Sequence, residues 1–402
     1  MRTSVHPIVF LILYLPYGIT SGYVLVTLEY LLSTSGVTVT QIAALAAISY
    51  LPQTWKVLWA PIIDTTLTAK RWYFISTAVT GLILLGMAFV PTSARTIELL
   101  DLLSFILNVA CSFSAMATES LMARTTSHDQ MGRAGGWSQA GNLGGGGLGG
   151  GAGLWMAQHV APWSAGAVLG AFSMACCVTL WFCEEQYNPR QIGRYRTRLL
   201  EVAKDVWSVA RSRIGLLALF LFLLPIGTGA ASNLWAAVAT DWHADGDTVA
   251  LVNGALGGLI SMAGCLLGGY FCDLIDRKSA YAIFGTALAL CAAAMAAAPR
   301  TRAMFILFTG LYGFALGLCY AGFSSVTLEA IGKDSPATKY NLMACVSNIP
   351  IAGMTMIDGW AQTRWGSGNM LYVETLLALV GVILFAAVAL ATRRPLPALV
   401  AE

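Results

Sequence analysis

Apolar runs of membrane-spanning length alternate with short polar breaks from residue 7 to residue 392. A helix needs about 20 apolar residues to cross a bilayer, and backbone groups left unpaired in lipid restrict spanning segments to helices or closed barrels. Segments 7–32, 40–63, 72–91, 97–123, 134–158, 163–183, 214–240, 248–275, 279–298, 302–331, 338–362 and 368–392 meet the requirement, predicting an all-α integral membrane protein with twelve transmembrane helices. Most connections are short, but 184–213, EEQYNPRQIGRYRTRLLEVAKDVWSVARSR, is long. The predicted organisation is a six-helix bundle over 1–183, a linker over 184–213 and a second six-helix bundle over 214–402. Within the linker, Leu199, Leu200, Val202, Val206 and Val209 recur between basic residues, predicting an amphipathic helix on the membrane surface.

Composition agrees with this reading. Hydrophobic residues make up 57% of the chain and charged residues 11%, against about 25% charged in a soluble domain. The formal net charge is +3, with no basic domain, which argues against a nucleic-acid partner. The cysteines lie almost entirely in apolar runs without a C-x-x-C pair, predicting buried hydrophobes and no metal. The first apolar segment lacks an A-x-A cleavage site and reads as a retained span. Twelve spans place both termini and the linker on one side. Arg95, Arg300, Arg302 and Arg364 fall on the opposite side and Lys56 inside a span; every other lysine and arginine falls on the first side. The positive-inside rule makes that side cytoplasmic, as in a bacterial inner membrane.

The two halves echo each other. DTTLTAKR at 64–71 and GGYFCDLIDRKSAY at 268–281 both place an aspartate at a cytoplasmic helix end, followed by a basic pair. ESLMARTTSHDQMGRAGGW likewise echoes TLEAIGKDSPATKYNLM. The second loop, with Gly268, Gly269, Asp273, Asp276, Arg277 and Lys278, resembles the loop signature of the major facilitator superfamily. That resemblance implies a charge clasp, including Asp64, Lys70 and Arg71, which holds an inward-closed state. Six plus six paired spans is the layout expected of a rocking transporter with its site between the halves. The fifth span carries GNLGGGGLGGGAGLW at 141–155. In lipid it should remain helical, packing closely against the eighth span or against the first and eleventh.

The run LPxxxKxLWAPxxD, here Leu51, Pro52, Lys56, Leu58, Trp59, Ala60, Pro61 and Asp64, resembles the branch holding AmpG-type muropeptide permeases and acetyl-CoA transporters. The LPYGITSG opening of the first span and Lys70-Arg71-Trp72 extend the resemblance, which also reaches short siderophore permeases. It implies import of a bulky polar or anionic solute; buried carboxyls without an evident sodium site make the proton the expected coupling ion, and the expected carrier is a monomeric symporter without a cofactor. A siderophore importer or a proton-driven drug or metabolite exporter is the alternative.

Ionisable groups within spans are costly and mark candidate sites. Lys56 is the candidate ligand for an anion, with Trp55 and Trp59 as a possible cation–π setting. Tyr17, Tyr23, Asn108, Asn233, Trp235, Tyr320 and Asn348 are further candidate substrate contacts, within a wider set including Tyr14, Ser112, Tyr312 and Asn341. Glu29, Glu119 and Asp358 are the candidate proton carriers. The chain placement pairs Glu119 with the neighbourhood of Arg124, Glu329 with Lys333 and Asp358 with Arg364. Pro16, Pro52, Pro225 and Pro350 are expected to interrupt their spans. The glycine run lacks the lysine and Ser/Thr of a P-loop. The scattered His6, His128, His159 and His243, without H-E-x-x-H or G-x-S-x-G, argue against an enzyme.

Overall fold

Hydroxyl and carboxyl caps begin several helices and the apolar runs extend them. A computed structural model describes residues 5–184 and 195–393, and helix occupies every predicted span. The first half contains α1 (Ile8–Thr34), α2 (Val39–Thr65), α3 (Ala69–Ala88), α4 (Ile97–Thr125), α5 and α6 (Pro162–Phe182). Helix α5 runs through Met131–Gly147, a π segment at Leu148–Ala152 and Gly153–His159. In the second half, α7 begins as Arg213–Leu223, breaks over 224–229, and resumes as short turns from Ala230–Leu234 to Ala239–Trp242. Helix α8 joins Gly246–Asn253 to Ala255–Leu274, followed by α9 (Arg277–Ala297) and α10 (Arg302–Ile331). The stretch Pro336–Arg393 is divided at Gly366 into α11 (336–365) and α12 (367–393). Gly366 has φ 80°, which costs glycine little. Thr38, Thr68, Ser212, Asp276 and Thr301 cap α2, α3, α7, α9 and α10 by accepting backbone N–H bonds.

Eight helical stretches among the described residues are long and apolar enough to cross a membrane, and one of them, Pro336–Thr392, has the length of two spans. Helices α2, α5 and α7 fall below that measure for three different reasons. Polar side chains such as Gln53 and Lys56 dilute α2, glycine dilutes α5, and a backbone break divides α7. Large apolar side chains, among them Leu58, Phe74, Leu82, Phe89, Trp181 and Ile383, face outward around the bundle, as a lipid-facing surface requires. The chain is a multi-pass membrane protein.

Helix α5 is the spine on which both halves rest. One glycine face meets α1: a Cβ on Gly18 would stand 2.1 Å from the Asn142 carbonyl oxygen, and one on Gly149 would stand 2.1 Å from that of Ile19. The other face meets α8: a Cβ on Gly136 would stand 2.7 Å from the Gly269 Cα, and one on Gly258 would stand 2.7 Å from the Gly147 Cα. Close backbone approach supplies the dispersion contacts that hold helices together where lipid offers no hydrophobic drive. Gly18→Val should therefore force α1 and α5 apart at a cost of about 1–3 kcal/mol or more. The check is a melting temperature in detergent well below that of the parent; an unchanged one would show that α1 and α5 can separate there at no cost.

Of the four prolines expected to interrupt spans, Pro225 alone lies in a break. Pro16, Pro52 and Pro350 sit inside continuous helix. In α1 the Thr20 hydroxyl donates to the Pro16 carbonyl at 2.9 Å, the usual back-bond of a threonine to the residue four before it.

The linker forms a helix over Tyr195–Arg211; Arg190 and Arg194 of the predicted linker, and Arg2 and Arg394 near the chain ends, lie outside the described residues. This linker helix touches both halves. Arg198 donates to the Thr65 carbonyl at the end of α2 (2.6 Å), and Asp205 accepts from the Ser335 hydroxyl just before α11 (2.6 Å). Val202 and Val209 are buried while Leu200 is exposed, so part of the apolar stripe faces the protein.

Candidate functional site: a cavity closed at one end by two carboxylate caps

The internal repeat becomes a structural device where the helices end in basic loops. At the end of α2, the Asp64 carboxylate accepts from the Thr338 N–H (2.8 Å), the Thr338 hydroxyl (2.8 Å) and the Ala337 N–H (3.3 Å), all in the first turn of α11. At the end of α8, Asp273 accepts from the Gly132 N–H (2.7 Å) and from the N–H (3.1 Å) and Nε (2.8 Å) of Arg133, in the first turn of α5. Each half thus caps a helix N-terminus of the other, where unpaired N–H groups and the helix dipole favour an anion. Gly132 is required by the close approach, since its Cβ would meet Asp273 Oδ1 at 2.5 Å.

The other predicted clasp residues cluster at the same end with separate tasks. Asp276 caps its own helix through the Ser279 N–H at 2.9 Å. Arg277 reaches the His128 carbonyl and ring, and Lys278 pairs with Glu329 at 2.8 Å. Gly269 lies against Gly136. Lys70 and Arg71 open α3 beside this end, Arg71 being exposed.

Above these caps lies a cavity of about 810 Å³ between the halves. Its deep part is formed by Tyr14, Glu119, Gln139 and Tyr340, and it extends past Tyr17, Lys56, Asn108 and Tyr320 to Asn233, Asn348, Thr355 and Met356. Met356, at the part of α11 away from the basic loops, is 76% exposed and lies at the edge of this cavity. Of the charged side chains among the described residues, only Lys56 and Glu119 line it.

Glu119 is 1% exposed and accepts from the Tyr14 hydroxyl (2.7 Å) and from Asn341 Nδ2 (2.7 Å). The second bond joins the halves at the cavity floor. Lys56 is 9% exposed and within electrostatic reach of Glu119; it forms no ion pair among the described residues. A buried ammonium without a bonded anion is a strong receptor for one, because low dielectric amplifies the attraction.

Of the predicted contacts, Lys56, Tyr17, Asn108, Asn233, Tyr320, Asn348 and Glu119 share this cavity. Tyr14 of the wider set lines it as well; the other predicted contacts and proton carriers do not. Tyr23 is buried against α6, its hydroxyl beside Gly166. Trp235 packs edge-to-face on Tyr312 at 5.2 Å. Trp55 is 47% exposed, and Trp59 donates to Ser112, so neither ring covers the Lys56 ammonium. Glu29 is half-buried near the far end of α1, and Asp358 is buried elsewhere in the second half.

Three expected pairings are replaced. Arg124 approaches Asp64 (3.8 Å) instead of Glu119, because Glu119 points inward from α4. Glu329 takes Lys278 across the α9–α10 contact in place of Lys333. Arg364 lies over the Trp360 ring, leaving Asp358 without it.

Sequence reasoning missed Gln53, Gln139 and Asn142. Gln53 accepts from the Tyr17 hydroxyl at 2.8 Å; Asn142 donates to Gln139 at 3.0 Å. Gln139 and Asn142 stand three apart, with Asn142 inside the glycine run and Gln139 just before it, so two amides on one helix face were the available signal.

Two pseudo-symmetric helical halves around a central cavity with a few polar and two charged side chains define a membrane transporter fold. A family model, the Major Facilitator Superfamily, matches residues 10–354, and the chain belongs to that superfamily. No curated protein matches. Among solved structures, the human organic anion transporter MFSD10 (TETRAN) is similar with a TM-score of 0.69 at 16% identity, covering 94% of this chain and 98% of that one. The proton:xylose symporter XylE, bound to 6-bromo-6-deoxy-D-glucose, also gives a TM-score of 0.69, at 13% identity over 94% of this chain and 95% of that one. At these identities the likeness establishes the fold.

Proposed function

We propose that the protein is a proton-coupled symporter that imports a bulky polar or anionic solute by alternating access. The observation that carries this reading is that Lys56 and Glu119 are the two charged side chains of a cavity otherwise lined, among the described residues, by neutral groups. Lys56 receives the anionic group of the solute. Tyrosine and amide side chains hold its polar body. Glu119 is the proton carrier: when ionised it accepts from Tyr14 and Asn341, and a proton on it removes an acceptor and loosens the bond between halves. Basic residues concentrated at the capped end support a cytoplasmic placement of that end and of both termini, in a bacterial inner membrane. The LPxxxKxLWAPxxD run favours a muropeptide-like solute, and a cavity of this size between the two halves of one chain suits a monomeric carrier. An organic anion transporter and a proton symporter among the similar folds are in keeping with both halves of the proposal.

The test begins with thermal-shift screening of muropeptide fragments, iron chelates, organic anions and neutral sugars, then measures uptake of the best ligand into proteoliposomes. An inward-directed pH gradient should drive accumulation. Glu119→Gln should keep ligand exchange at equal pH and lose gradient-driven accumulation. Accumulation indifferent to the pH gradient would remove the proton from the mechanism, and efflux driven by an opposed gradient would make the protein an exporter.

A further inference from the structure

The second half holds a pair of buried carboxyls that the cavity does not use. Asp358 on α11 is 0% exposed and Glu374 on α12 is 4% exposed. The two residues stand eight before and eight after the turn at Gly366, so antiparallel packing puts both at one depth, about 12 Å along their helices from that turn. They lie within electrostatic reach of each other and of Tyr312 on α10.

Their hydrogen bonding is incomplete. Glu374 Oε1 accepts from the Tyr312 hydroxyl (2.6 Å) and the Ala231 N–H (3.4 Å). Its Oε2 and both oxygens of Asp358 have no hydrogen-bond partner among the described residues. The titratable groups around the pair are Tyr312 and Cys319 from α10 and Cys291 from α9. From α7 come the Ala231 N–H and the Trp235 ring, which rests on Tyr312. Among the described residues no lysine, arginine or histidine bonds either carboxyl; Arg300 and Arg302 pair with Asp241 and Asp245 at the far end. Two such carboxylates cannot both carry charge in a buried site without a counter-ion.

Glu374 also touches a broken helix. Helix α7 breaks over 224–229, with Gly227 at φ 66° and Gly229 at φ 65°. Gly227, Thr228 and Asn233 line the cavity on one side of this segment, while Ala231 donates to Glu374 on the other.

We propose that Asp358 and Glu374 form a buried monovalent-cation site, filled by a proton or by sodium, whose occupancy fixes the packing of the break in α7. With the cation bound, the carboxyls stay packed and Glu374 holds Ala231. Without it, their repulsion displaces the α7 segment that lines the cavity. The site is separate from Glu119 and does not depend on which solute is carried.

The experiment uses the purified full chain and needs no substrate. A Thr228→Cys reporter is labelled with a thiol reagent in potassium buffer from acid to alkaline pH, and again with sodium added at fixed pH. The labelling rate should change several-fold with pH if the cation is a proton, or with sodium if it is sodium. Asp358→Asn and Glu374→Gln, which preserve shape, should each abolish the response. An unaltered response in both variants overturns the proposal, as does a parent that answers to neither cation. If a variant fails to fold, infrared spectra of the Glu119→Gln protein decide. A carboxyl band removed by alkali or by sodium supports the site, and the absence of any cation-sensitive band overturns it. Loss of transport leaves this result untouched, so the two proposals fail separately.

Discussion

Replacing Asp64 and Asp273 together with asparagine should open the basic end of the bundle. Each aspartate puts a full charge on the first turn of a helix in the opposite half. Asparagine keeps an acceptor and removes the charge, costing about 1–2 kcal/mol at each partly buried helix terminus. The two caps lie on different helix pairs with no shared partner, so their effects should add. A sum near 3 kcal/mol would move the balance between closed and open forms by roughly 100-fold. Spin labels at Arg71 and Lys333, both exposed at this end on different halves, report the change as a longer distance. Each single variant should give a partial shift. A distance distribution equal to the parent's in the double variant would show that the caps do not hold the gate, and closure would then rest on the glycine contacts of α5 and α8.

Lys56→Ala should abolish uptake while the protein still folds. A charge-assisted bond from a buried ammonium to a solute anion contributes about 1.5–3 kcal/mol, which corresponds to roughly a 10- to 100-fold loss of affinity. Lys56 makes no hydrogen bond among the described residues, so no protein partner is orphaned; its field balances Glu119. Any loss of melting temperature should therefore be recovered by adding Glu119→Gln, with uptake still absent. Uptake unchanged in Lys56→Ala would remove this residue from binding. Neutral solutes stabilising the parent and the variant equally would point to the amide and tyrosine lining instead.

Some of the site was legible because its chemistry is local. Lys56 stands out since lysine is costly in a span, and Asp64 and Asp273 stand out since the repeat places both at helix ends. What each aspartate bonds was not legible. Neighbouring basic residues looked like partners, yet the bonds go to the helix N-termini of the opposite half, 274 and 141 positions away at their farthest. Asp358 stood out as an acid within a span; Glu374, an acid within the span 368–392, was missed although the same criterion covers it. It follows the turn at Gly366 in an otherwise apolar helix, and only antiparallel packing brings the two within electrostatic reach.

The sequence by itself determined the helical spans, the six-plus-six division and the basic end, because burial cost in lipid and helical hydrogen bonding are local properties of each run. The glycine run likewise determined that α5 could be approached closely. The tertiary structure alone decided which helices make that approach, which polar faces turn to the cavity and which helix ends the two capping aspartates bond. Apolar spans are interchangeable to lipid, so their hydropathy carries no address; partner choice comes from shape and from the direction of a few side chains.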